Sequence, residues 1–316
     1  MTGHEADASA RRHGLLMGVA AYLMWGLFPL YWPLLEPARP VEILAHRIVW
    51  SFVVLVALLI WRGRLRGVLA LPRRSLGYLL VAAVLISVNW GTYIYGVNTG
   101  QVVETSLGYF IGPLVTVMVA VVLLGERLRP AQWASLSLAA LAVGILTVDY
   151  GRPPWIALTL AFSFAVYGLM KNRARVGAAE GLVVETGVLV VPATGYLFLL
   201  PDGTFGQVSA GHTLLLAGAG VVTVLPLLAF SAAATRIPLS TLGLLQYLGP
   251  SIQFVIGVFV YDEPMPLPRL VGFALVWVSL ALFTAEGLLR RSADHRAADL
   301  QQGLPHRATS WGSKRR

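Results

Sequence analysis

The chain has 316 residues, 57% of them hydrophobic and only 12% charged, with a mean hydropathy of +0.71. Soluble chains carry about 25% charged residues, so this composition excludes a water-facing surface over most of the molecule and makes lipid the solvent. The absence of Cys excludes disulfides, thiolate catalysis and Cys-ligated metal, and the net charge of +9 lies in short clusters and a tail, which suits anionic lipid rather than nucleic acid.

Residues 1–13 are polar and end in Arg11-Arg12-His13, and read as a cytoplasmic N-terminal segment. The apolar run that follows is long enough to span. It leads into bulky Leu30-Tyr31-Trp32 rather than a small-residue cleavage site, so it reads as an uncleaved helix. Crossing a hydrocarbon core of ~30 Å takes ~20 helical residues. Ten stretches meet that need, at 14–33, 41–61, 76–97, 103–124, 131–148, 155–171, 181–200, 213–233, 240–260 and 269–289. Helices are required because lipid offers the backbone no hydrogen-bond partner. The breaks between them carry charge, Pro or Gly, as in Glu36-Pro37-Ala38-Arg39-Pro40 and Gly151-Arg152-Pro153-Pro154.

Basic residues fall on alternate breaks. Arg62 to Arg74, Arg127 with Arg129, Lys171 to Arg175, and Arg236 lie on the side of Arg11 and the tail, while Arg39, Arg152 and Arg269 lie on the other. The positive-inside rule then places both termini in the cytoplasm of a multi-pass protein of the bacterial plasma membrane. Residues 290–316 form a basic tail without apolar periodicity, expected to be disordered and to touch lipid headgroups.

An internal duplication joins residues 14–150 to residues 151–289. Leu107-Gly108-Tyr109-Phe110-Ile111-Gly112-Pro113 runs on to Gly125-Glu126, and Leu244-Leu245-Gln246-Tyr247-Leu248-Gly249-Pro250 runs on to Asp262-Glu263. Trp25-Gly26 likewise matches Tyr167-Gly168, and Glu42-Ile43-Leu44 matches Glu180-Gly181-Leu182. With five spans per copy the second must insert upside down, an inverted repeat of the kind that permits alternating access.

Gly112-Pro113 and Gly249-Pro250 predict two broken or kinked helices, which membranes tolerate where a cavity is lined. Trp25, Asn89, Trp90, Ser106, Tyr109, Tyr167, Gln246 and Tyr247 are the candidate cavity residues. The glycines could equally serve close helix packing. Ionisable groups inside spans are costly, which singles out His46, Arg47, Glu104, Lys171 and Glu185 as gating or coupling candidates. Arg47 with Glu104, and Lys171 with Glu185, are the expected pairs, and a static ion pair would leave the same sequence. His46 could titrate near neutral pH, although a lone His is more often structural. Trp32, Trp61 and Trp155 read as interfacial anchors. No metal-ligand pattern, phosphate loop or nucleophile–base pair is present, so no cofactor, metal or catalytic site is assigned and no enzyme is expected.

Three blocks resemble the RarD-type permeases of the EamA branch of the drug/metabolite transporter superfamily. They are Glu42 to Ser51, Ser106 to Leu114, and Ala232 to Arg236 with Leu239 to Pro250. The resemblance covers residues 13–290. It implies an all-α integral membrane fold of ten transmembrane helices in an inverted five-plus-five repeat, with a central cavity. It draws attention to His46, Arg47 and Trp50, to Glu104, Ser106 and Tyr109, and to Glu185, Gln246 and Tyr247, while Gly112 stands where the family usually has Asn. The implied function is secondary transport of a small metabolite, amino-acid-like solute or drug, export favoured over import, and the alternative reading is a membrane-embedded binding or scaffold protein that never cycles. Glu104 and Glu185 are candidates for proton or ion coupling. A small-molecule substrate and the bilayer are the expected partners, and the oligomeric state is left open.

Overall fold

A computed structural model describes residues 3–124, 128–237 and 239–302. Among them all regular structure is helical. In chain order the helices are α1 (Gly3–Gly26), α2 (Phe28–Tyr31) with a 3-10 turn (Trp32–Leu35), α3 (Pro40–Trp61), α4 (Leu65–Leu69), α5 (Arg73–Asn98), α6 (Val102–Leu124), α7 (Pro130–Tyr150), α8 (Trp155–Ala174), α9 (Ala178–Leu199), α10 (Ala210–Ala234), α11 (Leu239–Leu245), α12 (Leu248–Phe259) and α13 (Leu267–Gln302).

Local chemistry sets the ends. Pro40 and Pro130 open α3 and α7, where the missing N–H would be free in any case. Ser209 caps α10 by accepting the His212 N–H at 3.0 Å, and Gly151 closes α7 in a left-handed conformation at φ 65°. Every stretch read as a span is mainly helical, with turns at Leu27 and at Gln246–Tyr247. Among the described residues seven helices are long and apolar enough to cross a membrane, α3, α5, α6, α7, α9, α10 and α13, with an eighth if residues 11–35, bent by 44° between α1 and α2, count as one span. The chain is a multi-pass membrane protein. Large apolar side chains such as Ile60, Val84, Leu141, Val191, Phe198 and Leu214 stay on the outside, where hydrocarbon rather than water covers them.

Three expectations need correction. α6 passes through Pro113 without interruption, one lost N–H being tolerated in a membrane helix. Only the second Gly-Pro accompanies a break, at Gln246–Tyr247, and Pro250 is the third residue of α12, where N–H groups have no helical acceptor. The tail is helical as far as Gln302, since residues 290–302 are rich in Ala and Arg, and Gly303 and Pro305 come only later. Glu126, in the first copy of the repeat, and the terminal Lys314-Arg315-Arg316 lie outside the described residues.

Packing joins the two halves of the chain throughout. α3 lies against α9 and α10, α5 against α8 and α9, α6 against α8 and α12, α1 against α10, α11 and α12, and α7 against α13. The largest apolar core, from Val103 through Leu146 and Ala161 to Leu280, ties α6, α7, α8 and α13 together. At the approach of α6 to α8, a methyl group on Gly108 would fall 2.8 Å from the Ala157 carbonyl oxygen, so only Gly fits there.

Candidate functional site

The centre of the bundle is organised around Arg47, seven residues into α3 and so about 10 Å below its start. Arg47 is 4% exposed. Its Nε donates to Thr223 Oγ1 of α10 at 2.9 Å, and Thr223 donates in turn to the Ala219 carbonyl. The guanidinium carbon lies 4.1 Å from the Trp90 ring centroid, 4.9 Å from Trp32 and 5.6 Å from Phe28, three cation–π contacts in a dry setting. Among the described residues Arg47 enters no ion pair. The expected partner, Glu104, belongs elsewhere.

Glu104 is buried at the start of α6 and accepts from Arg152 at 2.8 and 3.3 Å and from the Ile156 N–H at 3.0 Å. It thereby caps α8, where helix polarity favours a carboxylate. Its partner could not be read from the sequence, because Arg152 reads as an ordinary loop cation. The other expected pair is present. Lys171 Nζ lies 2.6 Å from Glu185 Oε1, and the Tyr167 hydroxyl donates to Glu185 Oε2 at 3.1 Å. Glu185 is fully buried and Lys171 keeps partial access to solvent.

The aromatic and amide candidates divide. Asn89 donates to the Leu160 carbonyl and to Ser163 Oγ, both at 3.0 Å, and accepts from the Tyr109 hydroxyl at 3.3 Å. Tyr109 packs edge-on to Tyr93 at 5.8 Å. These residues and Trp90 border the Arg47 cluster. Ser106 instead turns back on its own helix, donating to the Val103 carbonyl at 2.7 Å. Trp25 packs with Tyr22 and Phe230, and its carbonyl accepts from Gln253 at 3.1 Å. Gln246 and Tyr247, half-buried, form the α11–α12 break, and Gly249 and Pro250 are buried in the first turn of α12. Gly112 has open space around it, so it is not a packing glycine. Trp32, read as an interfacial anchor, is fully buried beside Arg47, whereas Trp61 is 82% exposed as an anchor should be.

One end of the bundle, where α3, α6 and α8 begin, is heavily tied across the halves. Glu42 of α3 accepts from the Thr204 N–H and hydroxyl at 2.6 and 2.9 Å, and Phe205 stacks on His46 at 4.8 Å. Glu263, between α12 and α13, accepts from the Val102 and Val103 N–H groups at the start of α6. Burial pushes the Glu263 carboxyl up from the ordinary carboxylate range, while those two N–H groups hold it down. The His212 ring bonds the Leu35 carbonyl at 2.9 Å, and the Tyr261 hydroxyl donates to Pro29 at 2.8 Å. At the opposite end the cross-half ties include Arg64–Glu180 at 3.7 Å, Ser75 to the Ala174 carbonyl at 3.0 Å, and Arg129–Glu286 at 3.2 Å. Sequence reasoning missed Thr223, Arg152, Phe205 and Glu263, none of which stands out from its neighbours in type.

Comparison with known proteins places this architecture. The model of the EamA-like transporter family matches residues 12–148. The chain is 52% identical to Protein RarD of Streptomyces exfoliatus over 93% of this chain and 95% of that one. It is 42% identical to an uncharacterized transporter of Vibrio cholerae, covering 94% and 99% of the two chains. A solved crystal structure shares the fold, with a TM-score of 0.56 at 21% identity over 85% of this chain and 96% of the other. With its apolar helices and such extensive identity to these relatives, the chain belongs to the EamA-like transporter family, as a RarD-type permease.

Proposed function

We propose that the chain is a secondary transporter that moves a small metabolite, amino-acid-like solute or drug across the plasma membrane by alternating access, export being favoured. In this reading ten spans form two inverted five-helix units, residues 14–150 and 151–289, around the Arg47 cluster.

The packing pattern carries the proposal. Exchanging first-half spans for their second-half counterparts turns α1 on α10 into α8 on α5, α3 on α10 into α9 on α5, and α6 on α8 into α12 on α1, all observed pairs, while α3–α9, α6–α12 and α7–α13 map onto themselves. Two halves with such equivalent contacts can trade conformations, converting an outward-open form into an inward-open one. The end tied by Glu42, Glu104 and Glu263 holds Arg39, Arg152 and Arg269 alone among the basic residues outside the spans, which supports reading it as the outer end, with those ties as its closing contacts.

The absence of Cys makes the test clean. Glu42→Cys with Thr204→Cys joins the outer end by a disulfide. Solute release from cells should fall to background on oxidation and return on reduction. Unchanged release by the cross-linked protein would refute alternating access.

A further inference from the structure

We infer that the Arg47 guanidinium is the binding point for the carboxylate of the transported solute, a monoanion with an aromatic or apolar body. This rests on the transporter reading above and names the substrate class of that site.

The first ground is the hydrogen-bond inventory. A guanidinium presents five N–H donors and no acceptor, and Arg47 uses one of them, on Nε, for Thr223. The four on Nη1 and Nη2 have no hydrogen-bond partner among the described residues, although the side chain is almost wholly buried. Two neighbours have the same surplus. The Trp32 indole N–H and the Tyr93 hydroxyl are buried without a partner, Trp32 lies against the guanidinium, and Tyr93 is close enough to interact with it electrostatically. A cluster with surplus donors calls for an acceptor-rich guest, and an ionised carboxylate is acceptor-only.

The second ground is charge. An uncompensated cation in the bilayer interior is retained for a purpose, by default contact with a charged cargo. The buried carboxylates Glu42, Glu104 and Glu185 are engaged elsewhere, Glu42 with Thr204, Glu104 with Arg152 and Ile156, and Glu185 with Lys171 and Tyr167. One guanidinium matches one negative charge, which favours a carboxylate over a phosphate dianion. The walls then select the rest of the molecule. Phe28, Trp32, Trp90 and Tyr93 offer ring faces and edges to an apolar or aromatic body, and α3, α5 and α10 supply the site from both halves of the chain.

The experiment uses the whole purified protein in detergent, melted in the presence of indole-3-acetate, benzoate and 3-phenylpropionate and of the primary amide of each. At least one acid should stabilise the wild-type chain with an apparent affinity about tenfold or more above its amide. Arg47→Lys should keep part of that stabilisation and Arg47→Met should lose it. Amides binding as well as their acids, no acid binding, or acid binding that survives Arg47→Met would each overturn the anion site. Counterflow of the bound acid in proteoliposomes separates the two claims. Binding without flux sinks transport and leaves the site standing, and flux of uncharged or cationic solutes without acid binding does the reverse.

Discussion

Glu185 is fully buried, and its two oxygens are occupied by Lys171 and Tyr167. Removing one partner of a buried pair leaves a desolvated charge, which costs about 3 kcal/mol. Glu185→Gln should therefore lower thermal stability in detergent by that order. Lys171→Met combined with Glu185→Leu should recover the stability, because an apolar pair replaces the ionic one. If the pair also gates the inner end, the double variant stays folded without transporting; stability and flux recovering together would make the pair merely structural. Glu104 differs, because it serves both Arg152 and the Ile156 N–H in the first turn of α8. Glu104→Gln should cost about 1–3 kcal/mol in the same melt, and a variant as stable as wild type would remove the capping role. At this scale the sequence revealed which groups were unusual but not whom they met. Buried charge is visible as an expensive letter in an apolar run. Partners such as Arg152 and Thr223 are ordinary letters, and only helix rotation and packing join them.

Helix existence was legible because a long apolar run has one solution in lipid. Helix continuity was not, since it depends on whether neighbours repair the backbone. Gly112-Pro113 and Gly249-Pro250 look alike in sequence, yet α6 runs on through Pro113, while the other motif starts α12 after a break. Glycines divide in the same manner. Gly108 lies against α8, so Gly108→Ala should overpack that contact and cost about 1–3 kcal/mol. Gly112 has no side-chain or backbone neighbour beyond its own helix, so Gly112→Ala should be neutral or stabilise by up to about 1 kcal/mol. Parallel melts of the two variants test this; equal losses would mean that the α6–α8 approach is looser than its geometry.

For the whole molecule, the alternation of basic residues argues the proposed orientation and the duplication the proposed symmetry, and both proposals start from the sequence alone. The closure of one end cannot, because Glu42 meets Thr204 and Glu263 meets α6 only once the halves are packed. Single cysteines placed one at a time at Arg64 and Arg152 should react with an impermeant reagent from the cytoplasmic and the outer side respectively. Labelling of both from one side would abolish the inverted arrangement.

Alternating access is tested most directly by spin-label distances in lipid, with one pair across the outer end at Arg39 and Asp262 and another across the inner end at Arg62 and Arg173, all exposed. The proposed cycle requires two populations in each pair, with the outer distance lengthening as the inner one shortens, and only the short outer distance in protein cross-linked between Glu42→Cys and Thr204→Cys. A single distance in both pairs, unchanged by cross-linking, would contradict it and leave a membrane protein that does not cycle.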